Sequence, residues 1–177
     1  MSDVPEPAGT GSDASAGVGV RIARADEVEA VGRLTLDAYT HSGFIVEDDF
    51  YAQHLLDAAS RRTGAELFVA DLDGRMVGTV TFCPEGSAFR EVARPGESEF
   101  RMLAVHPDAR RRGVAEALVR RCVERSRELG CSALALSSLP AQVEAHALYA
   151  RTGFQRAREL DWTPAPAVDL IGFRLTL

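Results

Sequence analysis

The sequence lacks the features that would predict a membrane protein or a disulfide-stabilised one. It contains no run of about 18 apolar residues, so no membrane-spanning helix is expected. The three cysteines, Cys83, Cys122 and Cys131, are an odd number without a close pair, which argues against a disulfide framework or a zinc site. The N-terminus also lacks the basic-then-apolar order of a signal peptide. We therefore expect a cytoplasmic protein that uses neither a membrane nor a metal.

Basic residues are outnumbered as well. The chain has 20 Lys and Arg residues against 26 Asp and Glu residues, which gives a formal net charge of −6. Bulk attraction to nucleic acid is therefore not expected. The arginines are nevertheless clustered in one short span, at Arg110, Arg111, Arg112, Arg120 and Arg121. This cluster predicts a local anionic partner rather than a polyanion.

The length of the chain fits one compact domain. With 177 residues, 46% of them apolar, a single core is large enough to fold without disulfides. Residues 1–17 are rich in Ser, Gly, Ala, Pro and Asp and can bury little apolar surface. We expect a disordered tail over 1–17 and one domain over 18–177.

Apolar periodicity and turn residues predict the order β-α-α-β-β-β-α-β-α-β-β, an α/β sandwich with a mixed sheet. The predicted strands cover 18–23, 66–70, 76–82, 98–105, 131–137, 154–159 and 168–177. The predicted helices run from an N-cap at Asp26 to Tyr39, over 48–60, over 113–129 and from Pro140 to Thr152. Asp73-Gly74 between two apolar runs is a strong hairpin signal.

The most informative segment is 99–115, where a strand leads into a basic loop and Gly113 opens an amphipathic helix. Backbone N–H groups at a helix N-terminus have no partner inside the helix and attract anions. Gly113 leaves the backbone open to a ligand, and arginines of the loop can add charge-assisted bonds to phosphates. The same pattern also fits a solvated charge run beside a flexible joint, because short glycine motifs are weak evidence.

Two motifs in this region resemble those of the GNAT superfamily of N-acetyltransferases. Leu103-Ala104-Val105, Pro107 and Arg110-Arg111-Arg112-Gly113-Val114-Ala115 are similar to the family's strand and its Arg/Gln-x-x-Gly-x-Gly/Ala loop. The segment 148–154, Leu-Tyr-Ala-Arg-Thr-Gly-Phe, is similar to the end of the family's following helix. The resemblance covers residue 18 to the C-terminus. It implies a single-domain GNAT-like fold, with a mixed, mostly antiparallel sheet, a splayed central strand pair and helices on both faces.

The resemblance also implies roles for individual residues. The cofactor would be acetyl-CoA, used as a co-substrate. Backbone amides from Arg111 to Ala115 would hold its pyrophosphate, and the strand around Leu103 to Val105 would pair with its pantetheine arm. A main-chain N–H near Val105 would polarise the thioester carbonyl. Tyr149 would protonate the leaving thiolate, and Glu99 stands where several members carry a general base. The cofactor-binding set is Leu103, Ala104, Val105, Arg110, Arg111, Arg112, Gly113, Val114 and Ala115.

Several readings of these residues stay open. Tyr149 also fits an aromatic anchor under the sheet, and Glu99 also fits a surface carboxylate or a salt-bridge partner of Arg101. Cys83 could carry an acyl group only with a base in reach, and the sequence shows none nearby. Gln142 and His146 stand where the family often has an asparagine, which puts side-chain contacts to CoA there in doubt.

The predicted function is acetyl transfer from acetyl-CoA to a primary amine of a small molecule or peptide, by direct attack. The acceptor site is expected around the first two helices, at Tyr39, His41, Phe44, Glu47, Asp48 and Asp49. Acidic residues there also suit a solvated helix start. The rival is a non-catalytic acyl-CoA-binding or regulatory module on the same fold. In similar proteins the C-terminal strands often form a dimer interface, which makes a homodimer one expected state.

Overall fold

The computed structural model describes residues 17–45 and 50–177, and these residues form one mixed α/β layer structure. The sheet order is β1-β2-β3-β4-β5-β8-β6, with β7 pairing beside it on β8. The strands are β1 (Gly19–Ile22), β2 (Glu66–Leu72), β3 (Arg75–Cys83), β4 (Glu97–Val105), β5 (Ala133–Ser138), β6 (Gln155–Arg156), β7 (Trp162–Ala165) and β8 (Val168–Thr176). Only β4 and β5 are parallel neighbours, and every other pair is antiparallel.

Helices cover both faces of this sheet. They are α1 (Val28–His41), α2 (Phe50–Leu56), α3 (Ala58–Gly64), α4 (Val114–Glu128) and α5 (Val143–Arg151). Side chains of α4 and α5 share the largest apolar core with Phe68 and Phe82. Side chains of α1, α2 and α3 pack on the opposite face, for example Val31 on Leu67 and Leu36 on Met102. We call this second side, covered by α1 to α3, the α1 face. The predicted fold class is therefore confirmed, including helices on both faces.

The central strands β4 and β5 separate after three paired positions. Glu97, Ser98 and Glu99 pair with Ala133, Leu134 and Ala135, and no described pair follows, although β4 continues to Val105 and β5 to Ser138. Beyond Glu99 the edge of β4 that faces β5 therefore has no strand partner. This opening is the splay that the resemblance implied.

A β-bulge changes the direction of side chains along β4. Thr79 pairs with Ala104 and Thr81 with Arg101, so Met102 and Leu103 stand opposite one residue of β3, and Met102 has φ +52°. Leu103 and Val105 consequently pack toward α4, with Phe100, whereas Met102 packs on the α1 face. Simple alternation would put Glu99 on the same face as Leu103 and Val105 unless a bulge intervened. The bulge is present and shifts the alternation by one residue, so Glu99 lies on the other face.

The predicted helix over 48–60 is two helices in the structure. The chain breaks at Asp57, whose backbone has φ −76° and ψ 63°. The Asp57 carboxylate accepts the N–H of Ser60 at 3.0 Å and so caps α3. Asp48 and Asp49, at the predicted helix start, lie outside the described residues, as do Glu47 and residues 1–16 of the predicted tail.

Two other predicted boundaries differ. Asp26 is not a helix cap, since 25–27 forms a 3₁₀ turn in which the Glu27 carboxylate accepts the N–H of Arg24 at 2.7 Å. The predicted strand over 154–159 is reduced to β6, followed by a 3₁₀ turn, and the connection after it forms β7. A proline fits β7 because this strand pairs only with β8. The Asp73-Gly74 hairpin is confirmed, with φ values of +52° and +75°.

Candidate active site

The loop between β4 and α4 combines a tight turn with two residues in left-handed conformations. Ala109 donates to the carbonyl of His106 at 2.9 Å, which starts the turn. Arg111 and Gly113 both adopt left-handed conformations, with φ +59° and +79°, and α4 begins at the next residue. Left-handed residues in a turn gather N–H groups into an anion-binding concavity, and the first turn of a helix adds N–H groups without internal partners. The loop therefore has the backbone geometry of a phosphate site.

Glycine is required at two points of this arrangement for different reasons. At Gly113 the reason is the positive φ, since a Cβ there would meet nothing within 4 Å. At Gly78 of β3 the reason is space, because a Cβ would lie 2.6 Å from Cγ1 of Val114 and 3.0 Å from Cδ1 of Leu118. Gly78 thus lets the start of α4 rest directly on the sheet and fixes where the loop ends.

The three consecutive arginines of the loop point to different partners. Arg110 donates from Nη2 to the Oγ of Ser42 at 2.8 Å. Arg112 donates from Nη2 to Oδ2 of Asp73 at 3.0 Å, at the β2–β3 turn. Arg111 is exposed, and no described residue forms an ion pair or hydrogen bond with its side chain. Arg111 is consequently the arginine most available to an anion.

A cleft of about 680 Å³ opens beside this loop. It lies between the C-terminal end of α1, the open edge of β4 and the exposed side of α5. Eight of the nine cofactor-binding residues predicted from the sequence line it, and Arg112 is the exception. The eight are Leu103, Ala104, Val105, Arg110, Arg111, Gly113, Val114 and Ala115. The structure therefore brings the predicted set together around one opening.

Other residues that line the cleft do not belong to the cofactor-binding set predicted from the sequence. Tyr39 and Phe44, two of the predicted acceptor residues, line the cleft, whereas His41 is exposed and does not. Ser42 was not predicted. From α5 and the residue that precedes it come Gln142, Glu144, Ala145, Ala147, Leu148 and Arg151. Positions 144, 148 and 151 follow helical spacing, so a helical projection of α5 could have identified this face.

Gln142 and His146 form hydrogen bonds with residues at the C-terminal end of β5. The Gln142 Oε1 accepts from the N–H of Leu139 at 3.0 Å and from the Oγ of Ser138 at 2.7 Å. Ser138 also bonds Nε2 of His146 at 3.1 Å, and burial lowers the pKa of His146. The amide oxygen of Gln142 is thus occupied by the protein itself, although the residue borders the cleft.

Tyr149 lies inside an aromatic cluster next to the cleft. Only 5% of the surface of Tyr149 is exposed to solvent. Its ring centroid lies 5.9 Å from the ring centroids of Phe100 and Phe154 and 5.6 Å from that of Phe173. Burial raises the pKa of the phenol, so the hydroxyl is protonated at neutral pH. No described residue bonds this hydroxyl. The neighbouring Leu148 lines the cleft itself, whereas Tyr149 does not.

Glu99 is completely buried and holds a loop. Its Oε2 accepts the backbone N–H groups of Glu91, Val92 and Ala93 at 2.9, 2.8 and 3.0 Å. Its Oε1 is buried, and none of the residues that the structure describes gives it a hydrogen bond. The side chain lies on the α1 face, in line with the bulge in β4. Glu99 is therefore neither a surface carboxylate nor an ion-pair partner of Arg101, which pairs with Glu91 instead.

Cys83 stands opposite Glu99 on β3 and is fully buried. Burial raises the pKa of its thiol to about 12, and the nearby Glu99 carboxylate adds to the shift. A thiol with this pKa is almost entirely protonated at neutral pH, and the thiolate is the nucleophilic form. Cys83 is thus poorly suited to carry an acyl group. Within residues 17–45 and 50–177, no group of three or more His, Cys, Asp or Glu side chains is placed to hold a metal ion.

Solved structures with this fold are numerous. A GNAT-family acetyltransferase from Staphylococcus aureus Mu50 is 15% identical, with a TM-score of 0.72 over 91% of this chain and 99% of the other. A ribosomal-protein-alanine N-acetyltransferase from Brucella melitensis is 22% identical, with a TM-score of 0.66 over 89% and 99%. A Salmonella typhimurium protein solved with its cofactor acetyl-CoA is 19% identical, with a TM-score of 0.66 over 91% and 94%. At these identities the likeness establishes the fold.

Sequence comparison establishes the family. No curated protein matches the chain. The model of the acetyltransferase (GNAT) family matches residues 28–154, which span most of the described domain and include both the loop at Gly113 and the segment around Tyr149. The helices, the splayed strands and the loop between β4 and α4 all fall within this match. The chain therefore belongs to the GNAT acetyltransferase family.

Proposed function

We propose that this protein transfers an acetyl group from acetyl-CoA to a primary amine of a small molecule or peptide in the cytoplasm. The observation that carries this proposal is the cleft of about 680 Å³ in which the anion-binding loop meets the open edge of β4. Acetyl-CoA carries a pyrophosphate and an extended pantetheine arm with amide groups. Its binding needs an anion site and an open strand edge next to each other. The similar proteins whose names include N-acetyltransferase, and the one solved with acetyl-CoA, support the same reading.

The loop and β4 would divide the binding of acetyl-CoA between them. N–H groups from Arg111 to Ala115 would bind the pyrophosphate, and Arg110 and Arg111 would add charge from the rim of the cleft. Leu103, Ala104 and Val105 would offer backbone groups to the amides of the pantetheine arm, because β5 leaves that edge of β4 without a partner. Arg112 would act through its backbone alone, since its side chain bonds Asp73.

The proposed reaction is one direct displacement. The acceptor ammonium first loses a proton, and the neutral nitrogen then attacks the thioester carbonyl carbon. A backbone N–H near Val105 would stabilise the oxyanion. The N–C bond forms in this attack, the C–S bond then breaks, and the thiolate takes the proton of the Tyr149 hydroxyl. The nitrogen, which is now acylated, gives up its surplus proton, and that proton restores the Tyr149 phenol. The products are the N-acetyl amide and CoA, with one proton released to solvent.

The state of Cys83 favours direct attack by the amine, and the state of Tyr149 bears on the departure of the thiolate. The Cys83 thiol, with a pKa of about 12, lies fully buried in β3 and would be a poor acyl carrier. Tyr149 keeps its proton at neutral pH because burial raises its pKa. The phenol is therefore in the protonated form that the acid role requires, and the same shift makes it a weaker acid than a free phenol. The ring cluster around Tyr149 would hold the hydroxyl in one position.

The decisive experiment detects the acetylated product by mass spectrometry, together with CoA release, across a panel of primary amines. The chain contains no lysine, so acetylation of its own lysine side chains cannot add to the signal. Mass spectrometry is preferable to a thiol dye, because the half-exposed thiol of Cys131 would react with one. Product formation that needs both acetyl-CoA and an amine supports the proposal.

The rival function gives a different result in the same experiment. A non-catalytic acyl-CoA-binding module would bind acetyl-CoA and release no CoA with any amine. Glu99 and Tyr149 already have structural duties, in the loop and in the aromatic cluster, and a binding module would need no others. Thermal stabilisation by acetyl-CoA without turnover would therefore favour the rival. At about 100 times Kd, bound ligand adds about 2.7 kcal/mol to stability, which is readily measured.

A further inference from the structure

The loop that precedes β4 is held against the α1 face at the point where the central strands separate. Glu99 binds three consecutive N–H groups of this loop, those of 91–93. Arg101, two residues farther along β4, donates from Nη1 to the carbonyl of Phe89 at 3.1 Å. Val92 and Ala93 pack against a small apolar cluster that contains Ala135, the last residue of β5 that pairs with β4. Side chains of β4 thus fix the loop at the apex of the splay.

These contacts leave one carboxylate group at the apex accessible to solvent. The Oε1 of Glu91 accepts from Nη2 of Arg101 at 2.7 Å, and no described residue bonds Oε2. The Glu91 side chain is 27% exposed, whereas Glu99 is 0% exposed. Of these two carboxylates on the α1 face, Glu91 is therefore the one that a ligand can reach.

Neither Glu91 nor Arg101 lines the cleft, and Arg101 lies two residues before Leu103, which does line it. Side chains of α4 and α5 fill the face opposite α1 with the main apolar core. An arm that starts at the loop 111–115 and follows the open edge of β4 advances about 3.3 Å per residue toward Arg101 and the apex. An acceptor that meets the end of that arm approaches over the α1 face, where Glu91 and Arg101 stand.

We propose that Glu91 binds the ammonium group of the acceptor and takes its proton, an inference that rests on the proposed amine acetylation. In this step an N–H bond of the ammonium breaks and an O–H bond forms on Glu91, giving a neutral amine and a neutral carboxyl group. The amine then attacks the thioester, and Glu91 returns its proton to solvent through its exposed side. Glu99 and Arg101 act as positioning residues that hold the loop and the carboxylate.

The charged surroundings of Glu91 suit this role. Burial raises the pKa of Glu91, the Arg101 guanidinium opposes that rise, and the Glu99 carboxylate adds to it. Among the described residues, the other titratable groups near Glu91 are Tyr51 from α2 and Cys83 from β3. Both keep their protons because burial raises their pKa. A carboxylate with a raised pKa is a stronger base than a free one and still attracts a cation.

Kinetics of Glu91→Gln test the proposal. With n-butylamine as acceptor, kcat/KM should fall at least tenfold at pH 7 and recover as the pH rises, because bulk solvent then supplies the neutral amine. The Kd for acetyl-CoA should stay unchanged. Glu124→Gln is the matched control, since Glu124 lies exposed on α4 and pairs with Arg121 at 3.6 Å. Parallel pH profiles for wild type and Glu91→Gln overturn the proposal.

A binding measurement separates this inference from the proposed function. Calorimetric titration of n-butylammonium into the CoA-bound protein at pH 7 should show at least fivefold weaker binding to Glu91→Gln than to wild type. That result supports the Glu91 site even if no amine on the panel is acetylated. The absence of acetylation would contradict the proposed function and leave the Glu91 site supported. Equal affinity in the two proteins, or binding to neither, overturns the Glu91 site. Backbone amides of 91–93 should keep their exchange protection in Glu91→Gln, because Glu99 holds them.

Discussion

Arg112 and Asp73 form an ion pair of 3.0 Å that turns the last arginine of the triplet away from the cleft and onto the β2–β3 turn. Arg111, its neighbour, lines the cleft and has a left-handed backbone, with φ +59°. Two adjacent residues of the same type are therefore expected to contribute very differently to anion binding.

We expect Arg111→Asn to raise the Kd for acetyl-CoA about tenfold and Arg112→Asn to change it less than twofold. Asparagine tolerates the left-handed region, so the first variant removes the guanidinium with little backbone strain. One charge-assisted bond to a phosphate has roughly the strength that such a loss requires. Isothermal titration calorimetry on both variants gives the comparison. Equal losses would place the two side chains in equivalent roles and contradict the geometry of the loop.

Tyr149→Phe is expected to lower kcat by roughly 10² to 10⁴-fold, because it removes the proposed acid and keeps the ring. The Kd for acetyl-CoA and the melting temperature should change little, since no described residue bonds the hydroxyl. Steady-state kinetics on the acceptor identified from the panel provide the test. Unchanged turnover would leave Tyr149 with its packing role among Phe100, Phe154 and Phe173.

Local signals predicted the features of this fold that depend on a few neighbouring residues. Asp73-Gly74 produced the hairpin turn, and Gly113 opened α4, because positive φ values restrict the choice of residue at such positions. The triplet of arginines marked the rim of the cleft. Their separate partners, Ser42 and Asp73, could not be predicted, because both lie far away in the sequence.

The role of Glu99 depended on two features that the sequence does not signal. Met102 adopts φ +52° in the bulge, and nothing about methionine indicates a left-handed residue. The loop 91–93 closes on Glu99 through backbone N–H groups, which every residue except proline carries. Register and main-chain contacts of this kind follow from the packing of the sheet and not from residue type. Sequence reasoning therefore found a carboxylate on β4 and could not tell that it would face its own loop.

Glu99→Gln is expected to destabilise the protein by about 1–3 kcal/mol, because an amide cannot supply a charged oxygen to three N–H groups. Hydrogen exchange at 91–93 should accelerate with it. Glu85→Gln is the control, since Glu85 accepts one N–H, that of Gly96 at 2.9 Å, at an exposed position near the same loop. Chemical denaturation and exchange mass spectrometry provide the two readouts. Unchanged stability with a loss of turnover that is confined to low pH would instead support the catalytic base role that the family resemblance implies.

Glu27 should make the stability of the protein depend on pH in acid. Its carboxylate receives two bonds of 2.8 Å from Arg21 and one of 2.7 Å from the N–H of Arg24, and the Arg21 bonds are the main reason that its pKa falls from 4.5 to about 2. A lowered pKa in the folded state stabilises the fold above pH 4.5, and this contribution disappears as the pH falls toward 2. Glu27→Gln should therefore cost about 2 kcal/mol at pH 7, and the gap to wild type should close between pH 5 and about pH 2. Denaturant unfolding at several pH values measures the gap, with the exposed Glu29→Gln as control. A gap that stays constant over this range would mean that Glu27 acts through its shape and not through its charge.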